Sequence, residues 1–234
     1  MKYLIRLLAA GWLLLPLGVP ADTHTLTIGT NNTPLDRQVL QALSDEAFRR
    51  LGKDMKLINL PSERSLRSAD RGEIDGEGLR VAGLQDRYPN LVQVDEPYVG
   101  ISFVAFARDR GIRLDGWSSL ADYRLAHVNG WKLFEAKTAD AKVVNRVANP
   151  EQMFEMLQRD RVDLALYTLA DGRAYIRDHG LVDIVALSPS LKDVDLYLYL
   201  HKRHARLAKE VGRVLREMKQ DGTYGRIIAD ILGD

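Results

Sequence analysis

A chain of 234 residues, 46% hydrophobic and 28% charged, carries enough apolar side chains for a packed core and is neither a disordered polyelectrolyte nor a fibre. Its 33 basic and 32 acidic residues nearly cancel and are interspersed, which leaves no basic stripe for nucleic acid. The absence of cysteine excludes disulfides, thiolate metal sites, a thiol nucleophile and a lipid-modified cysteine.

The chain opens with Lys2 and Arg6 ahead of an apolar run from Leu7 to Leu17, followed by small residues at Val19 and Ala21. This order is that of a secretory leader over residues 1–21, cleaved after Ala21, and Pro16 and Pro20 interrupt it too early for a membrane span. Leu26 to Gly29 then reads as a strand. Leu40, Leu43, Ala47 and Leu51 share a helical face between Thr33 and Gly52. Met55 to Leu60 is a second strand, Pro61 to Ala69 a short helix, and Asp75 to Leu79 a glycine-rich third strand. The run VGISFVAFA from Val99 to Ala107 is apolar throughout, as a strand buried on both faces would be.

A second set begins after a polar turn at Gly111 to Trp117. Arg124 to Val128 is a strand ending at Asn129-Gly130, Trp131 to Thr138 opens a helix, and Val143 to Val147 is again a strand. Asn149 caps a helix with Pro150 in its first turn and Met153, Met156 and Leu157 on one face. Val162 to Tyr167 and Val182 to Leu187 complete this sheet. Leu196 to Leu200 is one more apolar strand, and Leu207, Val211, Val214, Leu215 and Met218 mark a long closing helix.

Alternating strands and helices predict an α/β chain with largely parallel pairing. The buried strands Val99 to Ala107 and Leu196 to Leu200 bracket the second set and are expected to be two hinge strands between two lobes. Residues 22–107 with 195–234 form the first lobe and residues 108–194 the second; a single continuous sheet is the alternative.

Several segments together carry a family resemblance: LTIGTNN at the first strand, RGEIDGEGLRV from Arg71, Glu96-Pro97-Tyr98 before the buried strand, VDLALYT from Val162 and KQDGTYGRII from Lys219. In their order and spacing the chain resembles the type 2 periplasmic solute-binding proteins, in the amino-acid-binding branch (extracellular solute-binding protein family 3) that serves bacterial ABC transporters. The resemblance implies two small, mostly parallel sheets flanked by helices, closing on an amino acid or related carboxylate in the cleft between them. It also implies a periplasmic location, an inner-membrane permease or sensor receptor as partner, and no cofactor. The protein is expected to be a monomer and to bind no nucleic acid.

Many members of that family hold the ligand carboxylate with an arginine after the strand that starts at the Asp-Gly pair, and Arg80 and Arg87 compete for this role here. The threonine that usually precedes that arginine is missing. Arg80 is favoured because it ends a strand, where α/β sheets gather ligand groups, and its planar fork suits a carboxylate; a structural ion pair with Glu77 is the other reading. Glu77 would face the same way as Asp75 in an extended strand, so that one of them could meet a ligand ammonium while the other caps or pairs locally; Glu77 is counted among the ligand contacts. Glu63 and Arg64 at a helix start, and Asn31 and Asn129 at strand ends, are further expected contacts. Tyr98 and Trp131 are expected to sandwich the ligand from opposite lobes. Tyr167 stands where the family often carries an acid for the ligand's amino group.

No nucleophile elbow, phosphate-binding loop or metalloprotease pair is present, and His201 with His204 lacks the carboxylates of a metal site. Two alternatives remain on the same fold: a cyclohexadienyl dehydratase-like enzyme with Glu77 as its acid beside Arg80, and a ligand sensor for a membrane receptor.

Overall fold

The computed structural model describes residues 25–30 and 33–233; the expected leader and Asn31 lie outside them. Strand β1 (Leu26–Thr30) runs parallel to β2 (Met55–Asn59) on one side and to β3 (Gly76–Arg80) on the other. Helix α1 (Pro34–Arg50) starts where Thr33 Oγ1 accepts the Asp36 amide at 3.2 Å and Pro34 takes the first turn. It buries Val39, Leu40, Leu43, Ala47 and Phe48. Helix α2 (Ser62–Asp70) buries Leu66 and Ala69 in a separate cluster with Tyr88 and Tyr199.

After the short strand β4 (Leu91–Gln93), strand β5 (Val99–Ala107) carries the chain into a second group. There β6 (Arg124–Val128) runs parallel to both β7 (Val143–Val147) and β8 (Leu164–Thr168), while β8 lies antiparallel to β5. Helices α3 (Lys132–Lys137), α4 (Pro150–Gln158) and α5 (Leu169–Asp178) follow β6, β7 and β8. Asn149 caps α4 as expected, its Oδ1 accepting from the Gln152 amide at 3.0 Å. The two-residue strand β9 (Val185–Ala186) pairs with β5.

Strand β10 (Lys192–His201) joins the two groups. Lys192 to Leu196 pair with β5, whereas Tyr197 to Leu200 pair with β3. The hydrogen-bonded order is β2-β1-β3-β10-β5-β8-β6-β7, so one path of strands runs through two sheets with separate cores. One core gathers Ile28, Leu40, Leu198, Val211 and Leu215. On the far side of β5, Phe106, Phe154 and Ala165 form a second cluster, and Leu125, Phe134 and Leu166 a third. Helix α6 (Ala205–Gln220) closes the first core, and α7 (Thr223–Leu232) returns across it, its Tyr224 hydroxyl donating to the Tyr98 carbonyl at 2.8 Å.

One expected element is corrected and two helices are added. The strand expected over Val182 to Leu187 shrinks to Val185–Ala186, because the turn after α5 leaves Val182 84% exposed. Helix α5 has no counterpart in the sequence reading. The closing helix marked by Leu207 to Met218 is α6, and beyond Gly222, whose φ of 78° lies in the left-handed region glycine tolerates, the chain adds α7, which the sequence reading did not place. Among the described residues no helix is long and apolar enough to cross a membrane.

Candidate functional site

Strands β1 and β8 lie in different sheets, and each is followed by a helix that starts at a threonine. Thr33, before α1, donates through Oγ1 to Asp171 Oδ2 at 3.1 Å. Thr168, at the end of β8, donates to the same oxygen at 2.6 Å. Asp171 lies in the first turn of α5, so these bonds tie the start of α1 in one sheet to the start of α5 in the other. Asp36, in the first turn of α1, completes an acidic pair across the gap.

Both carboxyls are disturbed by this placement. Asp36 is pushed up to about 7, first by burial and then by the Asp171 charge, against a lowering hydrogen bond from Thr33. Asp171 is raised by burial, which outweighs the hydrogen bonds from Thr168 and Thr33. Tyr167, only 6% exposed, is raised by burial and then by the charges of Asp171 and Asp36, which places its ring within the field of both acids.

Aromatic rings form the wall next to Tyr167. Trp131, just before α3, lies 5.1 Å from Tyr167, is stacked on Phe134 at 5.6 Å and meets Phe103 edge-on at 6.2 Å. Beside the acidic pair a cavity of about 420 Å³ opens between α1, the start of β5 and α5, lined by Asp36, Val99, Ser102, Thr168, Arg173 and Arg177. The structure thus brings together Trp131 and Tyr167, on which the sequence reading settled, with Thr33, Asp36, Thr168 and Asp171, which it missed. Asp171 had a signal: it stands four residues after Tyr167, where the resemblance leads one to expect an acid.

The remaining expected residues have other surroundings. Glu77 is completely buried, with Ser65 Oγ donating to one oxygen and Arg80 to the other, through Nε at 2.8 Å and also through Nη2. Leu79 explains this pairing. Residues three apart in a regular strand face opposite sides, but Leu79 has a φ of 51° and β10 shifts register beside it, which returns Arg80 to the side of Glu77. Burial raises the Glu77 carboxyl, and the Arg80 charge and hydrogen bonds oppose that rise. The fork expected to hold a ligand carboxylate is therefore turned onto Glu77.

Tyr98 is fully buried in the first core with its hydroxyl against Ser44 at 3.4 Å, because the chain enters β5 there beneath α1, so it presents no face to a ligand. Glu63 lies at the surface with Arg67 and Tyr88, each 3.1 Å away, and Arg87 is 73% exposed; Arg64 is exposed on the same helix. Asn129 is exposed, its amide bonded to Val147. Asp75, expected to share a face with Glu77, accepts instead from the Thr27 amide, Arg203 and His204. Among the described residues no group of three metal-binding side chains converges.

No protein-family profile matches the chain. An uncharacterized protein of Shewanella oneidensis is 24% identical over 196 residues, 77% of this chain and 70% of its own. Solved structures are similar over almost the whole chain. An arginine-binding protein mutant from T. maritima superposes with a TM-score of 0.66 at 22% identity, over 90% of this chain and 96% of its own. The ligand-binding core of the receptor GluR0, in complex with L-glutamate, gives 0.69 at 13% identity, over 91% and 98%. A histidine kinase sensor domain similar to periplasmic binding proteins gives 0.66 at 17% identity, over 90% and 96%. The chain has the two-lobed type 2 solute-binding fold. Its two strand groups, bridged by β5 and β10, are the two lobes of that fold.

Proposed function

We propose that this protein captures a small polar solute between its lobes and releases it chemically unchanged, for delivery to a membrane permease or receptor. The observation that carries the reading is the hydrogen bond from Thr33 on one lobe to Asp171 on the other, beside Asp36, Tyr167 and Trp131. Groups from both lobes meet there, so a solute touching both favours the closed arrangement. Residues 22–107 with 195–234 would move as one lobe and 108–194 as the other, with β5 and β10 as the crossings. The leader-like start of the sequence supports export to the periplasm.

The amino acid or related carboxylate expected as ligand rested on Arg80, whose Nε–Nη2 edge Glu77 occupies. The dehydratase alternative needs Glu77 as an acid facing substrate, and both Glu77 oxygens are engaged by Ser65 and Arg80. A thermal-shift screen of amines, amino acids, organic acids and sugars tests the proposal. A true ligand at about 100 times its dissociation constant stabilises the native state by roughly 2.7 kcal/mol. Mass spectrometry of the eluted ligand should return it unaltered, and a dehydrated product would replace the binding reading with the enzymatic one.

A further inference from the structure

Asp36 and Asp171 face each other from the two lobes, and among the described residues neither carboxylate forms an ion pair. Arg173 and Arg177 line the neighbouring cavity but come no closer, and Arg177 is engaged by Asp178 at 3.1 Å. Two half-buried carboxylates without a counter-charge are costly, and bringing them together by lobe closure adds their repulsion. A second feature points the same way. The Tyr167 side chain is more than nine-tenths buried, yet its hydroxyl has no hydrogen-bond partner among the described residues, and it lies close enough to both acids to feel their charge. The ring is enclosed while the oxygen keeps access to the cleft, so the hydroxyl is open to a partner from outside the chain. The Trp131 ring beside it, 5.1 Å away, supplies a π-face.

Arg80, the arginine best placed to receive a carboxylate, is turned onto Glu77. Building on the solute-binding reading, we infer that the cleft takes an organic cation recognised without a carboxylate, a guanidinium or primary amine, with Asp36 and Asp171 as its counter-charges. The Tyr167 hydroxyl accepts one of its N–H groups, and Trp131 covers its face. A planar guanidinium has enough N–H donors to serve both acids and the hydroxyl at once.

The test is calorimetry with four probes: agmatine, L-arginine, glutarate and calcium chloride. Agmatine and arginine share the guanidinium and differ in the carboxylate, glutarate offers carboxylates alone, and calcium asks whether the acids hold a metal. Agmatine should bind at least as tightly as arginine, with glutarate and calcium silent. Asp36→Asn and Asp171→Asn, isosteric changes that keep the hydrogen-bonded frame, should each weaken agmatine at least tenfold, and Tyr167→Phe about threefold. Circular dichroism melting of each variant separates lost binding from lost folding. Arginine binding more than tenfold tighter than agmatine, glutarate or calcium binding instead, or full affinity in the doubly substituted protein would overturn the inference. Should cations fail while another solute from the thermal-shift screen binds, the cation assignment falls and the solute-binding reading stands. Failure of every solute removes both.

Discussion

Glu77 is a charge that folding places out of reach of water, and its neutrality depends on one residue. Removing Arg80 leaves that carboxylate without its one cationic partner among the described residues, and breaking a buried pair costs about 3 kcal/mol, somewhat less here because burial already pushes the carboxyl toward protonation. Arg80→Ala should therefore lower the urea midpoint clearly. Arg87, 73% exposed and 3.7 Å from Glu63, should change it by less than about 0.5 kcal/mol when made alanine. The double variant Arg80→Met with Glu77→Leu should recover most of the loss, since it removes the charge as well as its partner. Equal effects of the two arginine variants would show that Arg80 does not sustain Glu77. What the sequence reveals at this scale is position and not direction. That Arg80 ends a strand is legible from the glycine-rich run before it. That it turns back onto Glu77 depends on a left-handed leucine, and no residue preference announces such a conformation at Leu79.

At the scale of elements, the site is presented by α5, and α5 is seated by a glycine. A Cβ on Gly172 would come within 2.1 Å of Phe106 Cζ, and Phe106 is fully buried against Phe154, with ring centroids 5.5 Å apart. The helix thus lies against β5 more closely than any side chain permits. Gly172→Ala should cost roughly 1–3 kcal/mol through overpacking and, by lifting the first turn that carries Asp171, weaken ligand binding as well. Gly225 on α7 is the control. It is exposed, with no atom within 4 Å of an added Cβ, so Gly225→Ala should be neutral or stabilising by up to about 1 kcal/mol through helix propensity. Melting curves of the two variants that coincide would refute the close approach. The same glycine explains why α5 escapes a sequence reading: LADGRAYIRD is polar and contains the residue that most weakens a helix interior. By contrast β5, β6 and β7 are legible residue for residue. For β5, burial on both faces from Val104 to Ala107 forces the apolar run there.

For the molecule as a whole, the proposed closure would be proton-linked through the two acids. Asp36 opens α1 and Asp171 opens α5, joined through Thr33, and on the proposed closure only the closed arrangement buries them together. Burial first and the Asp171 charge second hold Asp36 at about 7, and an opening that relieves both would let it fall toward the ordinary carboxylate range. Between those limits the closed form binds more protons than the open one, so protonation favours closure at the acid end, and this advantage is lost as pH rises through 7. The groups around Asp36 are Thr33, Asp171, Tyr167 and, along the adjoining cavity, Arg173 and Arg177; the cations lie too far to form an ion pair and leave the repulsion uncompensated. Small-angle scattering of the free protein should show a larger radius of gyration at pH 8 than at pH 5, reversibly. Asp36→Asn should shrink the difference, because it removes both the buried group held at about 7 and its repulsion with Asp171. Saturating agmatine should keep the wild-type radius small at pH 8, since a bound cation substitutes for the missing proton. Added salt should leave most of this behaviour in place, as half-buried charges are screened less than surface ones. A wild-type radius that stays flat from pH 5 to pH 8 and matches that of Asp36→Asn would separate closure from the acidic pair and leave the hinge strands to set it alone.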